Sequence, residues 1–312
     1  MMRNSLIALL TAMTLLVGNT AAAATPQSTL FAEPWNRGQR ADEPSFQVQR
    51  IDDNTYAIRQ SIKTTFEAPF MYLLFGAEKA LLIDSGVVGS DLRAVINRLI
   101  AKRAEDQGSS QVELIVMHTH GHADHVGADP EFAARAATTV VGHKASEVAE
   151  FFAIEQWPEQ SVSFDLGNRL IELLPTPGHH DSHVMVYDRA SQILFSGDAL
   201  YPGRLYFQCA KFDQYRDSIA KLRTWITDRP LSWVLGAHIE MKAKPGKSFD
   251  SQKNKRSAEH LLELAPSVID ELHVALAGLG NEPRVLPQTE FIVFPHPADP
   301  RGKQPPDWCL DQ

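Results

Sequence analysis

The chain has 312 residues, 44% of them hydrophobic, which is enough for one large domain or two small ones. A formal charge of −8 argues against a nucleic-acid partner, because such binding needs a basic stripe. No internal repeat of 20–50 residues and no low-complexity block interrupts the sequence.

Met1–Ala24 reads as a secretory signal peptide: Arg3, an apolar run from Leu6 to Val17, then small residues ending in Ala22-Ala23-Ala24. The run is shorter than the roughly 20 residues needed to span a bilayer, and no cysteine follows it to carry a lipid. The expectation is a periplasmic or secreted protein with no membrane attachment once the signal is cleaved. Residues 25–45, rich in Pro, Gly and polar types, read as an N-terminal arm. A main domain then spans 46–280 and a Pro-rich tail 281–312.

Within the domain, Phe46–Ile51, Thr55–Gln60, Phe70–Phe75 and Ala80–Asp84 read as short strands separated by turn residues, as in an antiparallel meander. Asp91–Arg103 has Leu92, Val95, Ile96, Leu99 and Ile100 at helical spacing, with Ser90 as the N-cap candidate. Val112–Met117 is a buried strand. Further strands are expected at Thr138–Val141, Arg169–Leu174, His183–Asp188, Gln192–Ser196, Trp233–Leu235 and Phe291–Phe294. Helices are expected at Lys144–Ala153, Asp213–Thr227, Ser257–Leu264 and Pro266–Ala277. Two groups of strands with interleaved helices favour an α/β fold, a four-layer αβ/βα sandwich.

The strand Val112–Met117 delivers the stretch His118-Thr119-His120-Gly121-His122-Ala123-Asp124-His125. His120, His122, Asp124 and His125 are all good ligands for a borderline cation such as Zn²⁺. One tetrahedral ion cannot easily take four ligands from so short a loop, whereas two ions side by side can divide them. The cluster therefore predicts two metal ions per chain, zinc first, with iron or manganese as alternatives. His179, Asp198 and His238 also stand just after expected strands.

The segment T-H-G-H-A-D-H-V-G resembles the signature of the metallo-β-lactamase-fold hydrolases, and the resemblance extends over residues 84 to 238. It implies the same four-layer sandwich with the metals at one edge of the two sheets. It assigns His120, His122 and His179 to one metal, Asp124, His125 and His238 to the other, and Asp198 to both. Asp84, in Leu81-Leu82-Ile83-Asp84-Ser85-Gly86, matches an acid that holds a ligand imidazole by a hydrogen bond without binding metal. His118, His180 and His183 fall outside these sets, although His183 is placed to line the pocket, and His296 reads as structural.

Two metals 3.5–4 Å apart make hydroxide available near neutral pH. The reading is thus a dinuclear-metal hydrolase of a small molecule, with Asp124 relaying a proton to the leaving group. A lactone or thioester comes ahead of a β-lactam, because β-lactamases of this fold usually carry Cys or Ser where Asp198 stands. Asp198-Ala199-Leu200-Tyr201 resembles the homoserine-lactone hydrolases, which implies that Tyr201 donates to the substrate carbonyl oxygen. A glutathione-binding basic region is not identifiable in Lys242–Arg256. Other classes compatible with the ligands are a mononuclear iron dioxygenase and a metal-binding protein without turnover. Cys209 and Cys309 are expected to pair in an oxidising compartment, with two buried thiols as the alternative.

Overall fold

The computed structural model describes residues 28–107, 112–250, 254–296 and Cys309. The expected signal peptide, Met1–Ala24, lies outside the described residues. A first sheet contains β1 (Phe46–Asp52), β2 (Thr55–Gln60), β3 (Phe70–Phe75), β4 (Lys79–Ile83), β5 (Glu113–Met117) and β6 (Thr138–Val140), in sequence order. Its first four strands are antiparallel neighbours, and β4, β5 and β6 are parallel. The second sheet is built from β7 (Val162–Asp165), β8 (Leu170–Pro175), β9 (Val184–Asp188) and β10 (Ile193–Gly197). After β11 (Arg204–Gln208), which lies elsewhere, β12 (Trp233–Gly236) pairs parallel with β10, and β13 (Glu263–Leu264) closes that edge. A small third sheet joins β11 to β15 (Ile292–His296) and β14 (Leu286–Pro287).

The inner strands β3, β4, β5, β9 and β10 are nearly continuous apolar runs because both faces are covered. In β3, Phe70, Tyr72 and Leu74 join Ile171, Leu173, Val184, Val186 and Phe195 in the core between the sheets. Met71, Leu73 and Phe75 face the other way, onto Leu92, Val95, Ile96 and Ile100 of α1 (Leu92–Gln107). Two short helices, α2 (Ala123–Val126) and α3 (Asp129–Ala133), follow β5, and α4 (Ala145–Phe152) follows β6. On the far side, α5 (Phe212–Ile226) and α6 (Val268–Gly278) cover the second sheet through Tyr215, Ile219, Leu222, Ile269 and Leu272. Helix, sheet, sheet and helix form the expected four-layer sandwich.

Four expectations change. Ser257–Leu264 is extended, not helical: Glu259 is bonded bidentately to Arg59 at 2.7 and 2.8 Å, and Glu263 pairs with Leu235 in the sheet. A buried carboxylate must be matched, and this tertiary demand overrides local helical spacing. Ser90 does not cap α1; Glu131 of α3 does, accepting from the amides of Asp91 and Arg93 at 3.1 Å each. The N-terminal arm is packed, with Phe31 and Trp35 in the core and the Trp35 ring 4.8 Å from Phe70. Residues 281–296 likewise belong to the body of the fold, since β15 pairs with β11 along its length.

Cys209 and Cys309 form a disulfide that ties the segment after β11 to the C-terminal region. Among the described residues, no helix is long and apolar enough to cross a membrane.

Candidate metal centre

Five strands, β4, β5, β8, β10 and β12, end at one edge of the sandwich, and each is followed by a residue of the site. Open αβ sheets place ligands at such carboxyl ends. Backbone bonds fasten the sheets there: the Phe70 amide donates to the Ala237 carbonyl and the Val184 amide to the Thr119 carbonyl, both at 2.8 Å. Gly197 sits at φ +53, and a Cβ there would stand 2.7 Å from His183 and 2.8 Å from Thr119. Only glycine allows the turn that presents Asp198 so close to the loop after β5.

His120 Nε2, His122 Nδ1 and His179 Nε2 converge, with separations of 2.8, 3.2 and 3.1 Å. The opposite nitrogen of His179 donates to the Tyr206 carbonyl at 2.7 Å, which leaves the Nε2 lone pair to face its two neighbours. Beside them, Asp124 Oδ2 lies 3.3 Å from both His125 Nε2 and His238 Nε2. His238 Nδ1 donates to the Glu67 carbonyl at 3.0 Å, and His125 Nδ1 to Asp84 Oδ2 at 2.9 Å.

Asp198 joins the groups. Its Oδ1 is 3.5 Å from His125 Nε2 and 3.3 Å from His238 Nε2, while Oδ2 is 3.6 Å from His179 Nε2 and 4.0 Å from His120 Nε2. The seven residues thus form two adjoining His/Asp clusters with one carboxylate facing both, the arrangement of a dinuclear, zinc-type site. The fit is also chemical. His125 Nε2 and Asp198 Oδ1 are buried with no hydrogen-bond partner in the protein, a costly state that a cation between them relieves.

The two clusters differ electrostatically. Burial holds His120 well below the usual imidazole range, lowers His122, and brings His179 to about 4, with neighbouring imidazoles adding to the effect. Neutral rings with free lone pairs result. Burial also acts on His125 and His238, but there Asp124 and Asp198 outweigh it and hold both well above their ordinary value. The same contacts overcome burial to keep Asp124 and Asp198 below the usual carboxylate range.

Asp84, at φ +65, accepts the Thr119 amide at 2.7 Å besides His125, so it fixes both the loop and a ring. Tyr201 departs from expectation. Its side chain is 1% exposed and its hydroxyl donates to the Arg204 carbonyl at 2.5 Å, so its proton is committed to the backbone rather than aimed at a substrate. The ring lines the cavity, 5.5 Å from that of His238. His118 is held by Asp129 at 2.8 Å and His183 by Thr176 at 2.8 Å, both fully buried beside the centre.

A cavity of about 670 Å³ opens over the clusters, lined by His122, Asp124, His179, Asp198 and His238 at its floor. Its walls include Phe66, Glu67, Tyr206, Phe249 and, unexpectedly, His296. Sequence reasoning missed Glu67 and Tyr206 because they serve the ligands through backbone carbonyls, which carry no residue-type signal. His296 reaches the wall through the pairing of β15 with β11, itself invisible in the local pattern.

The profile of the metallo-beta-lactamase superfamily matches residues 64–230. A hydroxyacylglutathione hydrolase of Mesorhizobium japonicum is 35% identical over 111 residues, covering 35% of this chain and 42% of that protein. Another, of Rhizobium meliloti, is 25% identical over 180 residues and 66% of its length. The chain therefore spans between 42% and 66% of these two relatives. The acyl-coenzyme A thioesterase MBLAC2 of Homo sapiens is 25% identical over 253 residues, 71% of this chain and 86% of that one. Among solved structures, a metallo-beta-lactamase from Pontibacter korlensis superposes with a TM-score of 0.50 at 17% identity over 74% of this chain and 99% of its own, a likeness of fold. Fold, two-cluster centre and matched sequence agree: the chain belongs to the metallo-beta-lactamase superfamily.

Proposed function

We propose that the protein is an exported dinuclear-metal hydrolase of small esters, lactones or thioesters ahead of β-lactams. The observation that carries this is Asp198, whose two oxygens face two separate ligand clusters. Two zinc ions held there would supply hydroxide near neutral pH and polarise the substrate carbonyl. The protein's own part is orientation and proton handling. Asp84, the Tyr206 carbonyl and the Glu67 carbonyl fix the tautomers of His125, His179 and His238. Asp124 stands on the cavity floor, ionised, where it can receive a proton and pass it to the leaving group. The names of the relatives, hydroxyacylglutathione hydrolase and acyl-coenzyme A thioesterase, support a thioester.

A complete second cluster, Asp124, His125 and His238, supports a hydrolase over a mononuclear iron dioxygenase, which needs one ligand set. Metal analysis of the purified protein together with a panel of esters, lactones, thioesters and β-lactams tests the reading. About two zinc per chain and ester turnover are expected; one iron per chain, or turnover of β-lactams alone, overturns it. Export is supported by the layout of Met1–Ala24 and by the disulfide. Recovery of the chain in the cytoplasm with Met1–Ala24 still attached would refute it.

A further inference from the structure

The Tyr201 hydroxyl is committed to the Arg204 carbonyl, but another hydrogen-bond donor stands on the cavity wall: His180, which belongs to neither ligand cluster. It sits in the closed turn after β8, where the His183 amide donates to the His180 carbonyl at 3.2 Å and the Thr176 amide to the His183 carbonyl at 2.7 Å. Within that turn the Ser182 amide donates to His180 Nδ1 at 3.2 Å, and the Ser182 hydroxyl lies 2.9 Å from the same nitrogen. A backbone amide can only donate, so Nδ1 is an acceptor and the ring hydrogen sits on Nε2. That N–H has no partner among the described residues, while Ser182, which fixes the tautomer, is 1% exposed.

The position of the ring fits a donor at the reacting centre. It lies 4.9 Å from the ring of His122 and 5.6 Å from that of His120. It also packs on Gly121 between them: a Cβ there would stand 3.2 Å from His180 Cε1, the carbon bonded to Nε2. Both neighbours belong to the three-histidine cluster, whereas Asp124, the proton relay to the leaving group, belongs to the other. A tetrahedral carbon sends its oxygen and its leaving group in different directions, so the two sides of the cavity divide the work.

We infer that His180 is a catalytic residue whose Nε2–H donates a hydrogen bond to the substrate carbonyl oxygen, the role that the sequence suggested for Tyr201. As hydroxide adds to the carbonyl carbon, the π electrons of the C=O bond move onto that oxygen; the hydrogen bond strengthens while the proton stays on the ring. The inference rests on the hydrolase reading and adds a residue to it.

The test compares the zinc-loaded parent with His180→Ala and His180→Gln, on whichever of phenyl acetate, S-phenyl thioacetate and γ-butyrolactone the parent turns over fastest. His180→Ala is expected to lower kcat about 100-fold and to change KM less than about threefold, with metal content unaltered. His180→Gln, which can offer an amide N–H from a similar reach, should recover about tenfold of that loss. Hexylphosphonate, whose tetrahedral anion imitates the charged oxygen, should bind the Ala variant about tenfold more weakly by calorimetry. Parent-like kcat and phosphonate affinity in His180→Ala would overturn the inference, as would loss of metal from that variant or an Nδ1–H tautomer of His180 in nitrogen NMR of the parent. Turnover of none of the three esters by the parent sinks the hydrolase reading itself, and the inference with it.

Discussion

The two halves of the sandwich contribute to the metal centre in different ways. The first sheet delivers His120, His122, Asp124 and His125 from one loop of six residues after β5, so the donors are neighbours in sequence before they are neighbours in space. The second sheet delivers His179, Asp198 and His238 from the ends of three separate strands, β8, β10 and β12. Neither cluster is complete within one half. His179 from the second sheet finishes the three-histidine group, and His238 finishes the other. Metal binding therefore joins the two sheets, and its free energy is in part the free energy of keeping them in register.

Breaking the second half at its shared point should have the largest effect. Asp198→Ala removes the one carboxylate that faces both clusters, and we expect metal content to fall at both and kcat/KM to drop by about 1000-fold or more, some 4 kcal/mol. Metal content equal to that of the parent would remove Asp198 from its bridging role. His238→Ala damages one cluster alone, so about one metal per chain should remain, held by His120, His122 and His179, with activity reduced about 100-fold. Loss of both metals in this variant would mean that the clusters do not bind independently.

The first half is sharpened by Asp84→Asn, which leaves every ligand in place but perturbs the acceptor that orients His125 and the Thr119 amide. A drop of about 10- to 100-fold in activity is expected, with metal content less affected; the reverse pattern would make Asp84 a ligand. Tyr201→Phe should do little to turnover, less than about threefold, and should cost about 1 kcal/mol of stability from the lost bond to the Arg204 carbonyl. A hundredfold loss of kcat would return the tyrosine to the chemistry.

The smallest effect concerns the edge of the second half, where His260, just before β13, meets Glu290, just before β15, at 3.3 Å. Burial would lower His260, but Glu290 and the Leu261 carbonyl hold it above its ordinary 6.5, while His260 keeps Glu290 below its ordinary 4.5. A raised imidazole stabilises fully below its unfolded value and loses that contribution as pH rises through the folded one; a depressed carboxylate does so above its unfolded value and loses it as pH falls. The pair is thus at its strongest between pH 4.5 and 6.5. His260→Gln should lower Tm by about 1–3 °C near pH 6 and by nothing measurable at pH 9. A pH-independent difference would assign the loss to packing.

The contrast between the halves also explains what could be read from the residues. Alternation and helical spacing identified most strands of both sheets and α1, α4, α5 and α6, because burial on one or two faces leaves a periodic trace. The H-x-H-x-D-H loop announced a two-metal site by itself, since its donors are local. Sequence order alone did not bring His179, Asp198 and His238 together; their placement after strands, with the family resemblance, did. Tertiary structure decided the rest. It drew Ser257–Leu264 into extended form because buried Glu259 had to meet Arg59, and it folded the arm inward because Trp35 found Phe70. It turned the Tyr201 hydroxyl to a backbone carbonyl, and it set Arg204 against Glu240 and Lys211 against Asp181, acids distant in sequence. Those outcomes depend on which groups are buried beside one another, a property of the folded chain that no local pattern of residue types encodes.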